Sequence, residues 1–221
     1  MARTTGTDPA RGPLTRDRAL AVAVEIADLE GLAAMTMRRL ARDLGVEAMS
    51  LYHHVANKDD ILDAMVERVF DEMDLPSPEA PWKDAMRDRA ASVRAVLSRH
   101  PWAVSIMQSR TAPGPATLGH LDAVIGVCRR AGFTVPMAAH ALSLIDSYVY
   151  GFVLQEVNLP AASSGGVEEV VENVWPGLAE HFPHLAELTV EHVMQPGYRY
   201  GDEFDFGLEL ILDGLAAAAL R

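Results

Sequence analysis

Between Leu40 and Lys58 the chain reads LARDLGVEAMSLYHHVANK and sets Ser50, Tyr52, His53 and His54 almost in a row. All four side chains can donate a hydrogen bond, and Thr36, Arg38 and Lys58 flank them with a further hydroxyl and two cations. Such groups can hold phosphate oxygens, and a guanidinium can pair with a guanine edge. Two readings fit the spacing. A pair of short helices either closes a small core or carries these donors into a groove of DNA.

The elements that must position them are helical. Thr15 can cap a helix over 16–30, with Leu20, Ala23, Val24 and Ala27 on one face and Gly31 at its end. Thr36 can cap a second, 37–44, with Leu40 and Leu44 inward. Gly45 then reverses the chain, because glycine reaches positive φ without penalty. A third helix starts at Glu47 or Ala48 and runs to Val55, burying Leu51 and Val55. Asn57 caps a fourth helix from Lys58, with Asp59 and Asp60 at its positive end and Ile61, Leu62, Met65, Val66 and Val69 as its stripe. The pattern Ala41-x-x-x-Gly45-Val46 before a short amphipathic helix is that of a helix-turn-helix: a small residue for close crossing, a glycine for the turn, apolar residues to hold the angle.

After Pro81 the periodicity predicts helices over 82–99, 102–110, 115–131 and 136–159, then 167–182 bent at Pro176, a segment over 185–194, and 202–220. No strand run stands out. The class is all-α: a three-helix helix-turn-helix unit followed by a larger helical domain. The expected division is a flexible arm over 1–14, a helix-turn-helix domain over 15–75 with its connecting fourth helix, and a larger helical domain over 76–221.

Composition agrees with a globular protein: 221 residues, 24.0 kDa, 49% hydrophobic. The net charge of −12 argues against a nucleic-acid partner, but it is unevenly spread. Residues 1–58 carry eight Lys and Arg against seven Asp and Glu, and residues 59–221 carry eleven against twenty-four. Cys128, the single cysteine, excludes an internal disulfide and reads as a small core residue. The first residues show no apolar signal core, so a cytoplasmic protein is expected. The stretch from Val135 to Leu154 is long enough to cross a membrane, yet His140 and Asp146 inside it favour burial in protein or a subunit interface. His181 and His184 are separated by Pro183, which spoils the helical spacing a shared metal would need. No nucleophile elbow, phosphate loop or paired-carboxylate motif occurs. No catalytic residue, metal or cofactor is expected.

The run Leu51-Tyr52-His53-His54-Val55-x-Asn57-Lys58-x-x-Ile61-Leu62 is the specific signal. Together with Gly31-Leu32, Met35 to Ala41 and Leu44-Gly45-Val46, it resembles the tetracycline-repressor family of transcription regulators. The resemblance covers about residues 15–70 closely. It extends more loosely through Gly132-Phe133 and the following helix to a tetracycline-repressor-like C-terminal domain. It implies that Thr36, Tyr52 and Lys58 meet phosphates and that Arg38 reaches a guanine edge. Ala48, Met49 and Ser50 would open the recognition helix, with His53 and His54 against backbone or bases. It further implies a homodimer on a pseudo-palindromic double-stranded DNA operator, acting most often as a repressor. A small, largely apolar effector would be met by Met86, Trp102, Ile106, Met107, Tyr148, Phe152, Gln155, Trp175 and Phe182.

The sequence departs from the tetracycline repressors proper where they hold a magnesium–drug chelate. The corresponding stretches read Ser105-Ile106-Met107-Gln108 and Val153-Leu154-Gln155-Glu156, so tetracycline is not the expected effector. The small residues Gly207, Gly214, Ala217 and Ala218 on the last helix suit close packing against a twin. Two rivals stay open at this point: a helical-bundle enzyme, and a helix-turn-helix module used only for protein contact.

Overall fold

A computed structural model describes residues 13–107, 109, 112–159 and 177–219, and these form helices and turns only. The chain packs as two compact units, Met1–Leu142 and Ser143–Arg221.

In the first unit, α1 (Arg16–Glu30) begins where the Thr15 side chain accepts from the Arg18 amide, and it ends at Gly31 with φ 83°. Its buried face is Ala19, Ala23, Ile26 and Ala27. Leu20 and Val24, expected inside, are only half-buried: the contact stripe lies about one residue round the helix and uses small alanines for close approach. A single 3-10 turn, Leu32–Ala34, leads to α2 (Met37–Leu44), capped by the Thr36 side chain on the Arg39 amide. Gly45 adopts φ 70°, ψ 31°, and the Val46 amide closes the turn on the Ala41 carbonyl at 3.0 Å.

The next helix, α3, covers only Ala48–Leu51, shorter than the expected run to Val55. The His53 and His54 amides bond three residues back, to Ser50 and Leu51, so the last turn tightens. Asn57 then takes an extended conformation, φ −165°, to cap α4 (Lys58–Asp71) through the Asp60 amide. Leu51 and Val55 stay buried at 0% and 2% exposure despite the shortening. Leu40, Ala41, Leu44, Ile61, Met65 and Val69 complete the core of the helix-turn-helix. Each fully buried aliphatic chain there contributes roughly 1.5–3 kcal/mol relative to exposure.

α4 packs on α1 at one side and on α6 (Trp102–Met107) and α7 (Pro115–Arg130) at another, while α5 (Trp82–Arg99) packs on α6 and α7. The compact unit therefore runs past residue 75, because α4 shares its apolar surface, Ile61 to Phe70, between both sets of neighbours.

α8 (Val135–Asn158) crosses the boundary between the units. In the second unit it is followed by α9 (Leu178–His181), α10 (Pro183–Leu188), a π turn over Thr189–Val193, a 3-10 turn Tyr200–Asp202 and α11 (Glu203–Ala219). The expected loop over 160–166 and most of the expected helix over 167–182 lie outside the described residues, as do Trp175 and residues 1–12 of the arm. Pro183 at the first position of α10 separates it from α9. The last helix packs through Phe204, Leu208, Leu212 and Leu215. Among the described residues no group of three His, Cys, Asp or Glu side chains could hold a metal.

Candidate nucleic-acid interface

Apolar residues on one side of α2 and α3 leave the other side to polar groups. Thr36, Arg38, Ala48, Met49, Ser50, Tyr52, His53, His54 and Lys58 are all exposed, Met49 at 74% and Tyr52 at 45%. Had Ser50, Tyr52 or His53 been sealed in the core, a role at a duplex would be impossible. Thr36 already accepts from the Arg39 amide at 3.1 Å, and its hydroxyl hydrogen is still available to donate.

The cations sort into two groups. Arg39 is spoken for: its Nη atoms fork onto the Glu30 carboxylate at 2.7 and 2.6 Å, and its Nε reaches Asp43 at 2.6 Å. Arg39 thereby holds the carboxyls of Glu30 and Asp43 below the usual carboxylate range, through hydrogen bonds in both cases. Arg16 forks onto Asp60 at 2.7 and 2.8 Å and depresses its pKa likewise, helped by the Ala56 amide at 3.0 Å. Arg18 donates to the Leu44 carbonyl at 3.1 Å, and Arg42 meets Asp43 at 3.2 Å. Arg38 and Lys58 bond to no described residue. The first group spans α1, α2 and α4 and sets their angles. The second is exposed to solvent. Thr36, Arg38, Arg39 and Arg42 together line a shallow groove whose positive rim suits a phosphate chain.

The residues expected to meet an effector divide between the units. In the first, Met86, Trp102 and Ile106 are buried and Met107 half-buried. The Trp102 indole donates to Asp28 at 2.6 Å, an acceptor that also takes His100 Nδ1 at 2.7 Å. In the second, Tyr148 and Phe152 join Phe204 and Tyr200 in an aromatic cluster, with ring centroids 4.9 to 5.9 Å apart. Tyr148 donates to the Phe204 carbonyl at 3.0 Å, and Tyr200 donates to Gln155 Oε1 at 2.8 Å. Phe182 is half exposed, at 49%. Gly207 faces Tyr148 so closely that a Cβ there would collide with the phenol, so this glycine serves packing inside the unit, where the sequence suggested a twin helix.

Sequence reasoning missed the polar interior of the first unit. Arg89 of α5 is 1% exposed and His120 of α7 is 4% exposed. Burial, then the Arg89 charge, pushes the His120 pKa down, and its Nδ1 has no hydrogen-bond partner in the described structure. Nothing local marks either residue, since α5 carries arginine at four positions and periodicity cannot tell which one turns inward.

Comparison with known proteins divides the chain between residues 65 and 75, earlier than the boundary between the compact units. Residues 19–65 match the family model for bacterial regulatory proteins of the tetR family, and residues 75–219 match the tetracyclin repressor-like C-terminal domain. The HTH-type transcriptional repressor DrrR1 of Streptomyces coeruleorubidus is 36% identical over 96% of this chain and 82% of its own length. The class E tetracycline repressor of Escherichia coli is 28% identical over 92% of each chain. Among solved structures, the tetR-family protein ActR of Streptomyces coelicolor, in complex with actinorhodin, superposes with a TM-score of 0.77. It is 30% identical and covers 95% of this chain and 100% of its own.

Proposed function

The chain belongs to the tetR family of bacterial regulatory proteins, and from that premise we propose a repressor that binds a pseudo-palindromic operator as a homodimer and leaves it when a small, largely apolar effector binds. One observation carries the DNA reading. Among the described residues of the helix-turn-helix, Arg38 and Lys58 are exposed and uncommitted beside the donors of α3, while Arg16 and Arg39 are bound to carboxylates. A guanidinium fork at Arg38 would read a guanine edge, and Thr36, Tyr52 and Lys58 would grip phosphates. Ala48, Met49, Ser50, His53 and His54 complete the proposed contact surface, on a domain ending near residue 75.

The homodimer reading is supported by apolar side chains that the second unit leaves outside. Leu144 and Leu154 lie on one stripe of α8 with Ser147 and Gly151 between them, and Phe206 and Leu210 lie on one stripe of α11 with Gly214. Both glycines face open space, which lets a second backbone approach. A second copy would bury these stripes as a four-helix seam.

The effector reading is supported by the family and by the bound state of ActR. Met86, Trp102, Ile106, Met107, Tyr148, Phe152, Gln155 and Phe182, the residues the family resemblance singles out, are the proposed contacts. Trp175 belongs to the same proposal from the sequence. The protein would act in the cytoplasm, by binding and without catalysis. Fluorescence anisotropy on duplex DNA from upstream of its own gene tests the proposal. Saturable, salt-sensitive binding is expected at a stoichiometry of two chains per duplex, and absence of retention on any fragment would overturn it.

A further inference from the structure

Helix α7 begins without a side chain of its own to cap it. Gly114 stands at the cap position with φ −86° and ψ −175°, Pro115 follows, and no local group accepts the amides of Ala116 and Thr117. Glu67, about one turn from the end of the Lys58–Asp71 helix, supplies the acceptor from across the packing interface. Its carboxylate takes the Ala116 amide at 2.7 Å, the Thr117 amide at 3.3 Å and the Thr117 hydroxyl at 2.6 Å. An anion at a helix N-terminus is favoured by the exposed amides and by the dipole. A Cβ at residue 114 would occupy the space of that carboxylate. The φ at Gly114 is open to any residue, so what excludes a side chain there is the arrival of Glu67.

We propose that Glu67 is a positioning residue: it locks α4 to α7 and so sets the angle at which α4 carries the helix-turn-helix to DNA. The inference rests on the DNA-binding reading above. It goes beyond that reading in assigning the mechanical link to one carboxylate. α4 packs on α1, and α1 on α2, so an angular change in α4 reaches the DNA-facing helices through contacts already made. Without the lock α4 samples several angles, and apparent affinity falls by the fraction that is competent to bind.

The test separates the lock from mere capping. In Glu67→Ala/Gly114→Asp the new aspartate caps α7 from its own chain, in the room vacated by Glu67. Melting should then return to within a few degrees of the parent, roughly a typical single-cap effect. Amide exchange within residues 58–71 should nevertheless rise about tenfold as the helix loosens. The dissociation constant for the upstream duplex should rise about fivefold. Glu67→Gln, which keeps an acceptor, should stay within about twofold of the parent on both readouts. Gly114→Ala provides the same test without touching Glu67, because its methyl group evicts the carboxylate. Parent-like exchange or parent-like affinity in both the double variant and Gly114→Ala would overturn the proposal. The exchange readout needs no DNA, so a parent protein that failed to bind the duplex would count against the repressor reading while the lock was still decided.

Discussion

The helix-turn-helix and the α8–α11 pair of the second unit solve opposite problems with the same element. In the first, the core takes most of the apolar chains, and the outer face of α2 and α3 carries hydroxyls, imidazoles and cations around an exposed Met49. In the second, the half-buried phenols of Tyr148 and Tyr200 are hydrogen-bonded within the unit, while Leu144, Leu154, Phe206 and Leu210 face out. Charge follows the same line: nearly balanced before residue 59, strongly acidic after it. What a helix leaves outside shows the chemistry of what it is built to meet. The first face suits a polyanion rich in acceptors, the second a copy of itself.

The largest effect should come from spoiling the second face. Phe206→Asp with Leu210→Asp places two carboxylates where a twin helix must dry the surface, at a cost on the order of several kcal/mol. Light scattering should give a monomer, and operator affinity should fall by about a hundredfold or more, since two half-sites are no longer held together. A dimer that survives would move the seam elsewhere.

Next is Arg38→Ala. Losing a bidentate guanine contact costs about 1–3 kcal/mol and relaxes base preference at one operator position. Competition with single-base variants of the operator would show it, whereas uniform weakening across all bases would make Arg38 a phosphate contact. Lys58→Ala should be milder and blind to sequence, and should lower the slope of log affinity against log salt by about one. An unchanged slope would remove Lys58 from the backbone contacts.

The smallest effect concerns the Arg16–Asp60 pair. The depressed Asp60 pKa means that its stabilisation is present above the ordinary aspartate value and is lost as pH falls through the folded-state value. The pair is partly exposed, at 49% and 27%, so a contribution of about 0.2–1 kcal/mol is expected. Asp60→Asn should lower stability by about that amount at neutral pH and converge with the parent at low pH, so that the acid limb below about pH 4 is flatter. An acid limb identical to the parent's would assign that stability to other carboxylates.

Local chemistry explains what could be read in advance. Thr15, Thr36, Asn57 and Gly45 act on amides and carbonyls within five residues, so the starts of α1, α2 and α4 and the turn between α2 and α3 were legible. What was not legible depends on distant partners. Which arginines are tied up is decided by Glu30 and Asp60, nine and forty-four positions away from Arg39 and Arg16. Gly207 reads as a small residue at an interface until Tyr148 is seen against it. Gly114 reads as a loop residue until Glu67 arrives. The early end of α3 reflects a competition that periodicity cannot weigh, between continuing the helix and extending Asn57 to cap the next one.

Hydroxyl-radical footprinting of the protein on its own upstream DNA addresses the central claim most directly. Two exposed readers held by one apolar seam predict two protected patches on the same side of the duplex, about one helical turn or slightly more apart, each lost in Arg38→Ala and both lost together in the Phe206→Asp/Leu210→Asp protein. A single patch, or protection unaltered by either change, would contradict it.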